Sequence, residues 1–99
     1  QIDGPTEKVL SLENLQAKFE AFGWHVITSN GNNMDEIVKT LEYAKSLTGK
    51  GKPILNLMST QMGYAVDFMV GTHKWHGSAP NDEQLENALG QIKETAGDY

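Results

Sequence analysis

The sequence predicts an α/β fold: a partial parallel sheet with one βαβ unit and flanking helices. Two apolar runs of strand length carry that expectation, Trp24-His25-Val26-Ile27-Thr28 and Ile54-Leu55-Asn56-Leu57-Met58, with a helical stripe between them. A strand, a helix and a strand within some forty residues favour a right-handed crossover, which leaves the two strands parallel.

Each element has its own signal. Leu12, Leu15, Phe19 and Phe22 recur at steps of three and four, the spacing of one face of a helix, with Ser11 expected as its cap and Gly23 as its end. The β-branched and aromatic run after Gly23 reads as a strand closed by the polar turn Ser29-Asn30-Gly31-Asn32. Asn33 and Glu36 have the spacing of a capping box, and Ile37, Leu41, Ala44 and Leu47 form a second stripe that Gly49 and Gly51 end. The run after Pro53 lacks alternation, as expected of a strand covered on both faces. Residues 60–80 read as a long loop with three glycines, two histidines and Trp75, the segment where function is expected. Asn81 and Gln84 then offer another cap, before a last stripe of Leu85, Leu89, Ile92 and Ala96.

Two strands are too few for a doubly wound sheet. Together with the start at Gln1, this makes the chain read as the carboxyl-terminal part of a larger α/β domain. Ninety-nine residues, 38% hydrophobic and 21% charged, suit a single small globular domain and not a disordered chain. No apolar stretch approaches the roughly 18 residues of a membrane span, so no membrane partner is expected. The net charge of −5 argues against nucleic acid as a partner, since that binding draws on basic residues. All eight basic residues are lysine, so a sugar phosphate would need its guanidinium clamp from another chain. Without cysteine there is neither a disulfide framework nor a thiolate zinc site.

Among residues able to do chemistry, His73 and His76 stand three apart in Gly71-Thr72-His73-Lys74-Trp75-His76-Gly77. Two imidazoles so spaced can bind a metal, exchange protons or simply occupy a loop. The bracketing glycines permit close approach of a ligand, and Trp75 can exclude water. A metal site from this chain alone is not expected, because His25 lies in a strand far along the sequence. Asp82, Glu83 and Glu86 read as a solvated helix start, Gly49-Lys50-Gly51-Lys52 as a helix terminator, and Met58, Met62 and Met69 as core filling. Asp67 has no partner identifiable in sequence.

The ordered series Ile2-Asp3-Gly4, Phe19-Glu20-Ala21-Phe22-Gly23-Trp24-His25-Val26, Gly31-Asn32-Asn33, Lys52-Pro53-Ile54, Thr60-Gln61-Met62-Gly63-Tyr64 and Gly71-Thr72-His73-Lys74-Trp75-His76-Gly77 closely resembles transketolases. It looks most like their separately encoded or bacterial amino-terminal half. The resemblance spans nearly the whole chain. It implies that residues 1–99 are the carboxyl-terminal part of the pyrophosphate-binding domain, a fragment of a thiamine-diphosphate-binding fold. The implied activity is transfer of a two-carbon ketol unit between sugar phosphates, with thiamine diphosphate and magnesium, in the pentose phosphate pathway of the cytoplasm.

By the same resemblance, His76 falls on the histidine that touches the cofactor diphosphate and substrate oxygens and is the expected catalytic residue. Ile2 falls on an apolar cofactor contact, and Met62 and Gly63 on the loop that passes close to it. The Gly-Asp-Gly segment and the asparagine that hold metal and diphosphate have no counterpart here, so tight binding by this chain alone is not expected. Ser59 and Ala65 stand where lysine and glycine are expected in close relatives. The implied partners are the remainder of the transketolase and a second copy in a homo-oligomer, a dimer. Two other functions fit the residues: a non-catalytic α/β association module, and a segment of a related thiamine-dependent synthase.

Overall fold

The computed structural model describes residues 2–92. Along them run α1 (Thr6–Val9), α2 (Leu15–Ala21), β1 (His25–Asn30), α3 (Met34–Ser46), β2 (Ile54–Ser59), a single 3-10 turn (His73–Trp75) and α4 (Asp82–Gln91). They fall into two compact units, Leu10–Thr60 and Gln1–Val9 with Gln61–Tyr99.

In the unit Leu10–Thr60, β1 and β2 pair in parallel from His25 opposite Ile54 to Asn30 opposite Ser59, so the βαβ unit forms as expected. The cap of α2 is Asn14, whose Oδ1 accepts the Ala17 N–H at 2.9 Å. Ser11 instead accepts from the Glu13 N–H at 3.2 Å, next to a left-handed Glu13 (φ 55°), so the helix starts later and Leu12 precedes it. Gly23 ends α2 in a left-handed conformation (φ 84°) that glycine adopts without a Cβ penalty. Its N–H donates to Glu20 and that of Trp24 to Phe19, the paired bonds of a Schellman cap, and the Phe19 and Trp24 rings meet edge-on at 5.6 Å.

Ser29 and Asn30, expected to turn, continue the β1 ladder. Ser29 is buried and its hydroxyl donates to Asn56 Oδ1 at 2.8 Å, which satisfies a polar group on a face that excludes water. Only half of the expected capping box forms at α3. Asn33 Oδ1 accepts the Glu36 N–H at 3.1 Å, but the Glu36 carboxylate turns to the Asn30 N–H at 2.7 Å and ties the helix start to the end of β1. Thr40 is buried between Ile37 and Ala44, while Leu41 is 56% exposed, so the inner stripe runs through Thr40. The ring of His25 meets Tyr43 of α3 edge-on at 6.4 Å, which places α3 over the face carrying His25 and Ser29. Strand β2 is half-buried from Ile54 to Leu57, and Met58 is exposed. Among the described residues β2 pairs with β1 alone, so it is an edge of this sheet and not the central strand that its composition suggests.

In the other unit, α4 begins with a complete capping box. Asn81 Oδ1 accepts the Gln84 N–H, and Gln84 Oε1 accepts the Asn81 N–H, both at 2.9 Å. Ala88 is the residue of α4 that packs inward, whereas Leu85, Leu89 and Ile92 are exposed. Ala96, the last member of the expected stripe, lies outside the described residues. The single turn α1 was not expected: the Pro5 carbonyl accepts from Lys8 and Val9, and one turn is too short to leave a periodic signal. No helix among the described residues is long and apolar enough to cross a membrane.

Candidate functional site

Residues 60–80, expected as a loop, are organised by their own hydrogen bonds. The Val66 N–H donates to Gly63, those of Met69 and Val70 donate to Val66, and the Gly71 N–H closes the segment onto the Met62 carbonyl at 3.0 Å. Val66, 5% exposed, is its apolar centre. Gly63 is required twice over. Its φ is 63°, and a Cβ there would sit 2.3 Å from the Met69 carbonyl oxygen. Ala65 has a φ of 71°, at the position where the resemblance calls for glycine, and so carries strain that glycine would relieve.

The next bend carries the histidines. Thr72 Oγ1 accepts the Lys74 N–H at 3.3 Å, and the His76 N–H donates to the His73 carbonyl at 3.0 Å, giving one tight turn. Trp75 fixes that turn against the preceding segment. Its Nε1–H donates to the Phe68 carbonyl at 3.1 Å, and the two rings meet edge-on at 5.3 Å. His76 caps the turn in a helical conformation (φ −60°, ψ −36°), with an exposed side chain whose ring makes no hydrogen bond to a described residue.

A second tie joins the segment to α4. The Asp67 N–H donates to Gln91 Oε1 at 2.8 Å, and Gln91 Nε2 donates back to Asp67 Oδ1 at 2.9 Å. Asp67 thus has a partner that sequence reasoning missed, because a contact across 24 residues leaves no local pattern. Asp67 Oδ1 also accepts the Phe68 N–H at 2.6 Å.

His76, Ile2, Met62 and Gly63 all belong to this unit. The Gly4 backbone lies beside His73, whose Nδ1 is 4.0 Å from the point a Gly4 Cβ would occupy. The Ile2-Asp3-Gly4 motif therefore borders the histidine turn, with Ile2 itself 63% exposed. Met62 is half-buried. Two shallow clefts flank Trp75, one of about 450 Å³ lined by Phe68, Thr72, Lys74, Trp75 and Ser78, the other on the α4 side lined by Asn81, Gln84 and Asn87 with the same two rings. Neither is lined by His76, Ile2, Met62 or Gly63. Asp82, Glu83 and Glu86 are exposed at the start of α4, as a solvated helix start requires. Among the described residues, no three His, Asp or Glu side chains are grouped to hold a metal.

The family profile described as "Transketolase, thiamine diphosphate binding domain" matches residues 1–96. The chain belongs to the transketolase family. It is 40% identical over 94 residues to an apulose-4-phosphate transketolase subunit of Phocaeicola vulgatus, covering 95% of this chain and 33% of that protein. It is 39% identical over 87 residues to the chloroplastic transketolase-1 of Arabidopsis thaliana, covering 86% of this chain and 11% of that protein. With the transketolase of Staphylococcus aureus the identity is 33% over 84 residues, 84% of this chain and 12% of that protein. The chain thus spans about a third of the length of the Phocaeicola relative. Its two-stranded parallel sheet with helices agrees with part of a transketolase cofactor domain.

The exposed imidazole of His76, with an N–H able to donate, and the apolar, exposed Ile2 have the chemistry to meet a diphosphate and an apolar ring, respectively. The described residues group no three side chains suited to a metal, so they would not by themselves hold a divalent cation, which takes roughly six or more oxygen ligands.

Proposed function

We propose that this chain is the carboxyl-terminal part, residues 1–99, of the pyrophosphate-binding domain of a transketolase. That enzyme moves a two-carbon ketol unit from a ketose phosphate to an aldose phosphate, with thiamine diphosphate and magnesium. The observation that carries the reading is His76: an exposed imidazole with no hydrogen-bond partner among the described residues, on a turn held by Trp75, in a chain whose residues 1–96 match the cofactor domain. Relatives that are named as separate transketolase subunits support a separately encoded half, so the partner is the polypeptide that completes the cleft. The exposed Leu85, Leu89 and Ile92 are apolar surface for that polypeptide or a second copy to cover, which makes a homo-oligomer, a dimer, the expected assembly. Pentose phosphate metabolism in the cytoplasm is the setting.

When bound, thiamine diphosphate supplies the carbon nucleophile and electron sink for the ketose carbonyl. His76 donates a hydrogen bond to a diphosphate oxygen, which would hold the cofactor, or to the substrate carbonyl oxygen, where negative charge grows as the carbonyl is attacked. Ile2 packs against the apolar part of the cofactor, and the backbone at Met62 and Gly63 lines its approach. The absence of arginine leaves the sugar phosphate to be clamped by the partner polypeptide.

The test is ketol transfer by the complete enzyme, assayed with ketose phosphate donors and aldose phosphate acceptors. His76→Ala is expected to lower turnover about a hundredfold, as loss of one such donor does. Unchanged turnover rejects the role of His76. Absence of ketol transfer, or release of a product other than the extended sugar, rejects transketolase activity in favour of an association module or a related synthase.

A further inference from the structure

We propose that Asp67 and Gln91 form a positioning pair for His76, acting through Phe68 and Trp75; the inference rests on the role given to His76 above. The bonds are continuous. Gln91, the last residue of α4, exchanges two hydrogen bonds with Asp67, at 2.8 Å from the Asp67 amide and at 2.9 Å to its carboxylate. The same carboxylate oxygen accepts the Phe68 N–H at 2.6 Å. The Phe68 carbonyl receives the Trp75 indole N–H at 3.1 Å, and Trp75 directly precedes His76. Asn87 orients the Gln91 amide from within α4, by accepting a second hydrogen bond from Nε2. The path therefore begins on the element with the complete capping box and ends at the histidine turn.

The residue types fit this work. A glutamine both donates and accepts, so it can read the backbone N–H and the carboxylate of Asp67 at once. Both side chains are exposed, so the pair competes with water and its effect is modest. Its use is to set the direction of an exposed imidazole, since transfer chemistry is sensitive to displacements of about an ångström.

The complete enzyme tests this by exchange of the pair. Gln91→Glu keeps the acceptor for the Asp67 amide but sets a second carboxylate against the first, and kcat is expected to fall about tenfold. Gln91→Met, which removes both bonds without adding charge, should lower kcat to a similar extent. Asp67→Asn keeps the acceptor and should be nearly silent. Asp67→Asn combined with Gln91→Glu removes the repulsion and restores a donor and an acceptor, but the amide oxygen at position 67 must still serve the Phe68 N–H, so kcat should recover in part, to within about fourfold of the starting enzyme. In a His76→Asn background, Gln91→Glu should lose most of its effect, because the two act through one group. A combined variant no better than Gln91→Glu alone, an unchanged kcat in both Gln91 variants, or equal loss with and without His76 overturns the proposal. Full turnover of His76→Asn by itself would instead remove the role of His76 on which the pair depends.

Discussion

The two units of the chain are held by different kinds of bond. Leu10–Thr60 is built on a backbone ladder between β1 and β2, with α3 laid across it. The segment from Gln61 onward has no such ladder among the described residues: short backbone turns are tied together by side chains reaching backbone groups, Trp75 to Phe68, Gln91 to Asp67 and Gln84 to Asn81. A ladder follows from the period of apolar residues and tolerates exchange among them. Side-chain ties depend on single atoms, and they hold in place the segment that carries the exposed imidazole of His76.

That contrast is open to attack by substitution. Gly63→Ala should be the most damaging change, costing about 3 kcal/mol in thermal or denaturant unfolding, because both the backbone angle and the Met69 carbonyl oppose a Cβ. Gly49→Ala, with a φ of 77° but nothing within 4 Å, should cost only about 1 kcal/mol. Equal losses at the two glycines would mean that the Met69 contact is unimportant.

Within the ladder, Ser29→Ala removes the bond to Asn56 and should cost about 2 kcal/mol, since it leaves more of a buried amide unpaired. Replacing both by apolar residues, Ser29→Val with Asn56→Leu, should restore stability to within about 0.5 kcal/mol of the starting protein. The buried Asn56 Nδ2 finds no partner among the described residues, so that pair is the ladder's one costly polar feature there. Failure of the double change to recover stability, measured by urea unfolding, would show that the pair contributes more than its mutual bond.

Smaller effects are expected at the ties of the loop. Trp75→Phe keeps a ring against Phe68 but loses the indole donor, and should cost about 1 kcal/mol in unfolding while moving the His76 turn. Ala65→Gly should stabilise by about 0.5 kcal/mol, because relief of the left-handed strain slightly exceeds the added freedom of the unfolded chain. A lower melting temperature for Ala65→Gly would contradict that balance.

The same division decides what could be read from the sequence. The β1–α3–β2 unit was legible because stripes and β-branched runs are local signals, and its parallel pairing follows from the crossover. Boundaries were less so: Ser29 continues β1 because Asn56, 27 residues away, satisfies its hydroxyl. The Asn81–Gln84 box was legible at four-residue range, whereas the Asn33–Glu36 box was redirected by a strand end that no local pattern reveals. At the candidate site, the ordered motifs singled out His76, Ile2, Met62 and Gly63, and the family profile agrees with the resemblance they carry. The Asp67–Gln91 tie was invisible, since neither residue belongs to a motif and both are exposed. The strain at Ala65 was foreshadowed only by its departure from the expected glycine.

The role of His76 is tested most directly by a structure of the complete enzyme with thiamine diphosphate bound. A ring nitrogen of His76 should lie about 2.7 to 3.2 Å from an oxygen of the cofactor diphosphate or of a bound sugar. A His76 ring turned away from both, with that oxygen served by other donors, would contradict that role.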